Sequence, residues 1–237
     1  MRMTANIVGV ALLSLAIANV AWAGTVTGTI TFADPPPTMK PIDTGADPAC
    51  AALHGGKPLI NEALVLGEGK TMANILVRIV KGAPEKDYSV PSEPVVMTQA
   101  GCRFEPRLAV VMVGQTLRVL NPDGIMHNVN GVPRTNRPFN RAMPKNITEL
   151  DLKLDKVEDA FMLRCDIHPW MRGYVAVVDH PFFDVTEKDG VYTIEGLPAG
   201  EYEIEAWHER LKGQTQTITV PADGEVKQDF SFAMPKR

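Results

Sequence analysis

Apolar and polar positions alternate with a period of two along most of this chain. The alternation is clear at 24–34 (GTVTGTITFAD), 74–82 (NILVRIVKG), 108–123 (LAVVMVGQTLRVLNPD), 173–180 (GYVAVVDH), 190–197 (GVYTIEGL), 201–209 (EYEIEAWHE) and 214–232 (QTQTITVPADGEVKQDFSF). Side chains that point in turn to opposite faces give this pattern, so these runs are predicted strands. Clusters of Gly, Pro, Asn and Asp between them predict turns. Short strands without interleaved helical patterns predict an all-β protein made of sandwiches, not a parallel α/β sheet. A helix is expected only in short pieces such as 47–54 (DPACAALH). Prolines gather at 35–41, read as a long stiff loop, and at 84–94, read as a domain boundary; a further boundary falls near 179–184 (DHPFFD).

The first residues break the pattern. Arg2 precedes an apolar run from Ile7 to about Ala18, and Ala21 and Ala23 sit three and one residues before a cut after Ala23. Charge, apolar core and small residues in that order predict a secretory signal peptide at 1–23 and export to the periplasm. No later stretch approaches ~18 uninterrupted apolar residues, so no membrane span is expected in the mature chain. The formal charge is −4, and −5 once Arg2 is lost. With no basic cluster and no acidic block, nothing points to nucleic acid as a partner.

Export changes the meaning of three cysteines, because an odd number in an oxidising compartment leaves one unexplained. Cys50 and Cys102 both lie in loop-like contexts, and pairing them as a disulfide leaves Cys165. That residue is either a buried inert thiol or a metal ligand.

Its neighbours weigh on the choice. The segment 161–171 reads FMLRCDIHPWM, with Cys165, His168 and Met171 spaced by three and three. Upstream, an alternating strand is expected to reach Phe104-Glu105-Pro106. A second runs to Val113-Gly114-Gln115, and a third ends at a loop holding Asp123, His127 and Asn128. Over about 95–179 this order of F-x-P, V-G, N-x-D, H-N and C-x-x-H-x-x-M resembles the cupredoxin family, with the short ligand loop of amicyanin-like members. The resemblance implies a Greek-key β-sandwich holding one copper ion through His127, Cys165, His168 and Met171. It makes Asn128 the residue that ties the two ligand loops. It also places His168 near the surface, with Pro169 and Trp170 as an apolar docking patch. Taken singly, His127 is an ordinary loop histidine, Met171 a core side chain and Cys165 a small hydrophobe. Together they suit copper: nitrogen holds Cu(II), soft sulfur holds Cu(I), and four protein ligands leave no position for a substrate.

The last third, 182–209 (FFDVTEKDGVYTIEGLPAGEYEIEAWHE), resembles the carboxypeptidase regulatory-like (transthyretin-like) sandwich family, whose members carry no peptidase chemistry in this domain. Residues 24–34 and 73–81 look like that family's opening strands. The organisation expected is therefore a transthyretin-like sandwich in two parts, 24–88 and 181–237, with the cupredoxin domain at 89–180 between them.

The function expected is single-electron transfer between redox proteins, such as a c-type cytochrome or a dehydrogenase. A copper carrier using the same ligands and a copper-dependent reductase are the alternatives; the latter needs an open position or a second metal. His54, His180 and His208, with Glu62 or Glu209 nearby, leave a second site open, against solvated or structural roles. Five histidines are too few for a multicopper oxidase, and no hydrolase or phosphate-loop motif is present.

Overall fold

The computed structural model describes residues 23–45, 47–55, 57–222 and 224–235. The leader expected at 1–23 thus lies, except for Ala23, outside the described residues. In chain order the first elements are β1 (Ala23–Phe32), β2 (Pro41–Ile42), α1 (Pro48–Leu53), β3 (Leu59–Ile60) and β4 (Leu76–Lys81). The middle of the chain forms β5 (Val95–Thr98), β6 (Leu108–Met112), β7 (Thr116–Leu120), β8 (His127–Gly131), β9 (Phe139–Met143), β10 (Glu149–Lys153), β11 (Glu158–Arg164) and β12 (Arg172–Val178). Then come β13 (Phe183–Val185), β14 (Val191–Pro198), β15 (Gly200–Trp207), β16 (Gln214–Val220), β17 (Glu225–Lys227) and β18 (Phe230–Phe232).

One sandwich is built from both ends of the chain. β1 alternates strictly between buried and less buried positions, as its sequence demands. It pairs antiparallel with β14, placing Val26 opposite Ile194, and parallel with β17 and β18, placing Ile30 opposite Phe230. The facing sheet runs β13-β4-β15-β16. Inward side chains of both sheets, among them Val26, Phe32, Val77, Ile79, Tyr192, Ile204 and Phe232, form one core. The Asp189-Gly190 turn works because Gly190 has φ +69° while the Asp189 carboxylate accepts the Val191 N–H.

The other sandwich packs β10-β7-β5 against β6-β12-β11-β8-β9. Every residue of β6 is buried, as are six of the seven in β12, and these two strands pair in parallel with Val177 beside Val111. Their alternate positions serve two cores. Ala109, Val111, Val175 and Val177 fill the inside of this sandwich. Leu108, Val110, Met112, Tyr174, Ala176 and Val178 face out, onto Leu76 of β4 and Trp207 of β15. A continuous apolar run replaces alternation there because both faces are covered.

One expectation is corrected. The strand expected to reach Phe104-Glu105-Pro106 stops at Thr98, and the chain turns with Gly101 at φ +60° and Cys102 at φ +52°. Asp123 accepts both backbone N–H groups of that turn, Gly101 N at 2.7 Å and Cys102 N at 2.8 Å, which holds the chain out of the sheet. The loop expected at 35–41 is present and leads into an arm in which β2 and β3 pair and enclose α1.

Candidate metal centre

The short helix α1 begins at Asp47-Pro48, a capping residue followed by a residue that needs no N–H partner. Asp47 Oδ1 accepts the N–H groups of Ala49, at 2.9 Å, and Cys50, at 3.4 Å. Cys50 is bonded to Cys102, which fixes the helix to the Gly101–Cys102 turn. The arm is thereby pinned over the end of the second sandwich, where β8 begins and β11 ends.

β11 runs antiparallel to β8 with Arg164 opposite Asn130, so the residues after Arg164 lie alongside those that open β8. The connection 165–171 folds back on itself: the Met171 N–H donates to the His168 carbonyl at 2.8 Å and the Cys165 N–H to the Met171 carbonyl at 3.2 Å. A spacing of three and three is what lets so short a loop return to its start. Asn128 joins this loop to β8, accepting the Asp166 N–H at 2.7 Å and donating to the Asp166 carboxylate at 3.0 Å. Asn130 and Asn140 also donate to that carboxylate, at 2.8 and 3.0 Å. These amides, Asn130 first, together with Arg164 hold the Asp166 carboxyl below its ordinary range.

His127 and His168 meet through their Nδ1 atoms, 3.0 Å apart, and Cys165 Sγ lies 3.7 Å from His168 Nδ1. One donor atom from each of these three residues falls within 4.8 Å of the others. The far nitrogens both point at carboxylates: His127 Nε2 is 3.0 Å from Asp123 Oδ2, and His168 Nε2 is 2.7 Å from Asp47 Oδ2. Each carboxylate therefore binds backbone N–H groups and an imidazole at once. That fixes the ring orientations and leaves the two Nδ1 atoms facing inward. Met171 closes the loop, buried in the same core cluster as Cys165. Cys165 is the free cysteine among the described residues.

The electrostatics follow from this packing. Burial would lower the pKa of His127, but the Asp123 carboxylate and the Cys165 sulfur outweigh it and hold the ring up at about 9. Burial would raise the Cys165 thiol, yet His127 and the N–H groups of Asn128, His168 and Ile167 bring it down to about 7. Asp47 is held low, chiefly by His168. Asp123 is low despite burial, because His127 and the Cys102 and Gly101 amides offset it. The residues present fit a copper ion: two converging imidazole nitrogens and an easily ionised sulfur.

The expected surface position of His168 is corrected. It is 1% exposed, its ring lies between Asp47 and Trp170, and Trp170 is itself only partly exposed at a ring distance of 5.2 Å. Pro169 remains exposed. An apolar patch around a bare histidine edge is thus replaced by a carboxylate cap. Sequence reasoning missed Asp47, Asp166, Asn130 and Asn140. Asp47-Pro48 announces a helix cap, but nothing in the sequence says which ring its second oxygen meets.

The other histidines do not join a cluster. His54 Nε2 bonds the Gly101 carbonyl at 2.8 Å, and His180 Nε2 bonds the Ile79 carbonyl at 3.1 Å. His208 Nδ1 accepts the N–H groups of Arg210 and Leu211. Glu62 pairs with Arg103 and Glu209 with Arg107. Among the described residues, no group of three metal-type donors includes these histidines.

No family model matches the chain, and no curated protein matches it. Among solved structures it is similar to a copper-containing nitrite reductase from Thermus scotoductus SA-01, at 20% identity and TM-score 0.34, over 43% of this chain and 28% of that one. A mutant amicyanin in the Cu(I) form is similar at 24% identity and TM-score 0.33, over 43% of this chain and 97% of that one. A purple cupredoxin from Nitrosopumilus maritimus is similar at 20% identity and TM-score 0.30, over 35% of this chain and 98% of that one. The chain therefore spans under a third of the reductase and nearly all of the two smaller proteins. The fold is all-β, two β-sandwiches joined in one chain.

Proposed function

We propose that this protein is an exported blue copper protein that holds one ion through His127, Cys165, His168 and Met171 and passes single electrons between redox proteins, such as a c-type cytochrome or a dehydrogenase. The observation that carries the reading is the 3.0 Å approach of two Nδ1 atoms whose rings are each committed, through Nε2, to a carboxylate. Two lone pairs at that distance repel unless a proton or a cation lies between them, and the sulfur beside them favours a metal that accepts both nitrogen and thiolate. Copper bound there supplies a one-electron couple between Cu(I) and Cu(II). The chain's part is to keep the donors fixed in both states, through Asp47, Asp123 and the Asn128–Asp166 hydrogen bonds. All four residues are buried, which favours retention of the metal over the exchange that a carrier requires. The flanking sandwich, taken as transthyretin-like and interrupted by the copper domain at 89–180, fits the pairing of β1 with β14, β17 and β18.

One equivalent of copper(II) added to the purified protein should give intense visible absorption from sulfur-to-copper charge transfer, with reversible reduction in the absence of any substrate. Cys165→Ser should lose the colour and keep the fold, because a hydroxyl does not donate as a thiolate does. Met171→Gln should keep the colour and lower the reduction potential, since oxygen favours Cu(II) over Cu(I). A colourless loaded protein, or an unchanged spectrum in Cys165→Ser, would overturn the reading.

A further inference from the structure

A cavity of about 460 Å³ opens between the two sandwiches, the arm and the loop 165–171. That volume lies in the range that takes small organic ligands. Trp170 and Met171 form part of one wall, so the cavity adjoins the candidate metal centre and shares Met171 with it, while His127, Cys165 and His168 lie outside its lining. Its chemistry is one-sided. Arg103, Arg107, Arg172 and Arg210 line it against Glu62 and Glu209, four cations to two anions, in a chain whose formal charge is −4.

Both carboxylates are already used. Glu209 forms two hydrogen bonds with Arg107, at 2.6 and 2.8 Å, in a pair almost withdrawn from solvent. Glu62 accepts from Arg103 Nη1 at 2.8 Å. Arg172 and Arg210 form no ion pair among the described residues. Two residues of the lining also carry a donor without an acceptor, Arg103 Nε and Trp170 Nε1, but these atoms have almost no surface open to the cavity. Two unpaired guanidinium groups on one lining, beside two arginines whose charges are already matched, leave a positive cavity that calls for an anion.

We propose that this cavity is a binding site for a small anion with a carboxylate or phosphate group, held by Arg172 and Arg210 beside Trp170. Guanidinium forks match the paired oxygens of either group. The tilted packing of Trp170 on His168, with ring centroids 5.2 Å apart, makes the tryptophan a reporter at the boundary between this site and the metal centre.

The test is isothermal titration of the full-length, metal-free protein with inorganic phosphate and, separately, with succinate, so that its outcome does not depend on copper. Saturable binding of at least one probe is expected, with a change in fluorescence that is absent in Trp170→Phe. Replacing Arg172 and Arg210 together by Gln should weaken binding by about tenfold or more, the scale of charge-assisted hydrogen bonds. Trp170→Phe keeps an aromatic side chain but removes the indole, so the fluorescence response should vanish while the heat of binding remains. Failure of both probes to saturate would overturn the proposal, and so would binding that the arginine substitution leaves unaltered.

Discussion

Asp47 does two jobs with two oxygens, and only a carboxylate can do both. Oδ1 caps α1 and Oδ2 takes the N–H of His168. Asn has one oxygen, so Asp47→Asn keeps either the cap or the imidazole bond. Removing the negative charge should raise the copper reduction potential, and loss of the imidazole partner should weaken copper binding by about 10–100-fold. Voltammetry and chelator competition read these; no change in either would reduce Asp47 to a helix cap. His208 makes a second prediction, on stability. Burial, then Arg107 and Arg210, push its ring down to about 4 from 6.5. As pH falls below 6.5 the unfolded chain takes up a proton that the folded chain refuses. Stability is therefore lost between about 6.5 and 4, on the order of 3 kcal/mol, and this contribution stops changing below 4. His208→Asn keeps an acceptor for the Arg210 and Leu211 N–H groups but never charges. Urea melts across that range should show a shallower decline than wild type, and parallel curves would refute the assignment.

The arm 41–60 is an element with little core of its own. Two residues each of β2 and β3 pair around a six-residue helix whose one buried residue is Cys50. Such a piece does not hold its place by packing, and the Cys50–Cys102 bond, spanning 52 residues, does it instead. Replacing both cysteines by Ala should cost about 2–4 kcal/mol in stability. It should also free Asp47 from His168, so a chelator should strip copper faster from the variant than from wild type. Equal stripping rates would show that the helix cap and the Asp47–His168 bond hold the arm without the disulfide.

On the scale of the whole molecule, the two ends of the chain share their sheets. β1 carries β14, β17 and β18, while β4 lies between β13 and β15. A fragment of 181–237 would lack both of these strands and expose their pairing edges. It should be unfolded or aggregated by circular dichroism, and a cooperative melt of the fragment would show that the C-terminal part folds by itself. The outer faces of β6 and β12, apolar where they meet Leu76 and Trp207, tie the second sandwich to the first. The pair should accordingly unfold with one transition rather than two.

The strands at 24–34, 74–82 and 190–220 were legible because one face of each is wet and the other dry, which imposes a period of two. The run at 108–112 was legible as a strand but not as a shared wall, since burial on two faces erases that period. β8 and β9 were illegible: His127, Asn128 and Asn130 are buried by hydrogen bonding rather than by apolar contact, and polarity alone resembles a loop. At the site, the types and spacing of Cys165, His168 and Met171 lie within one short loop, so local chain geometry brings them together and the sequence shows it. The cap on His168 comes from a residue 121 positions away. Asp47 reaches it because a disulfide and a turn held by Asp123 bring the arm across the loop. Contacts of that range depend on how the sheets pack, and no local pattern of residues encodes them.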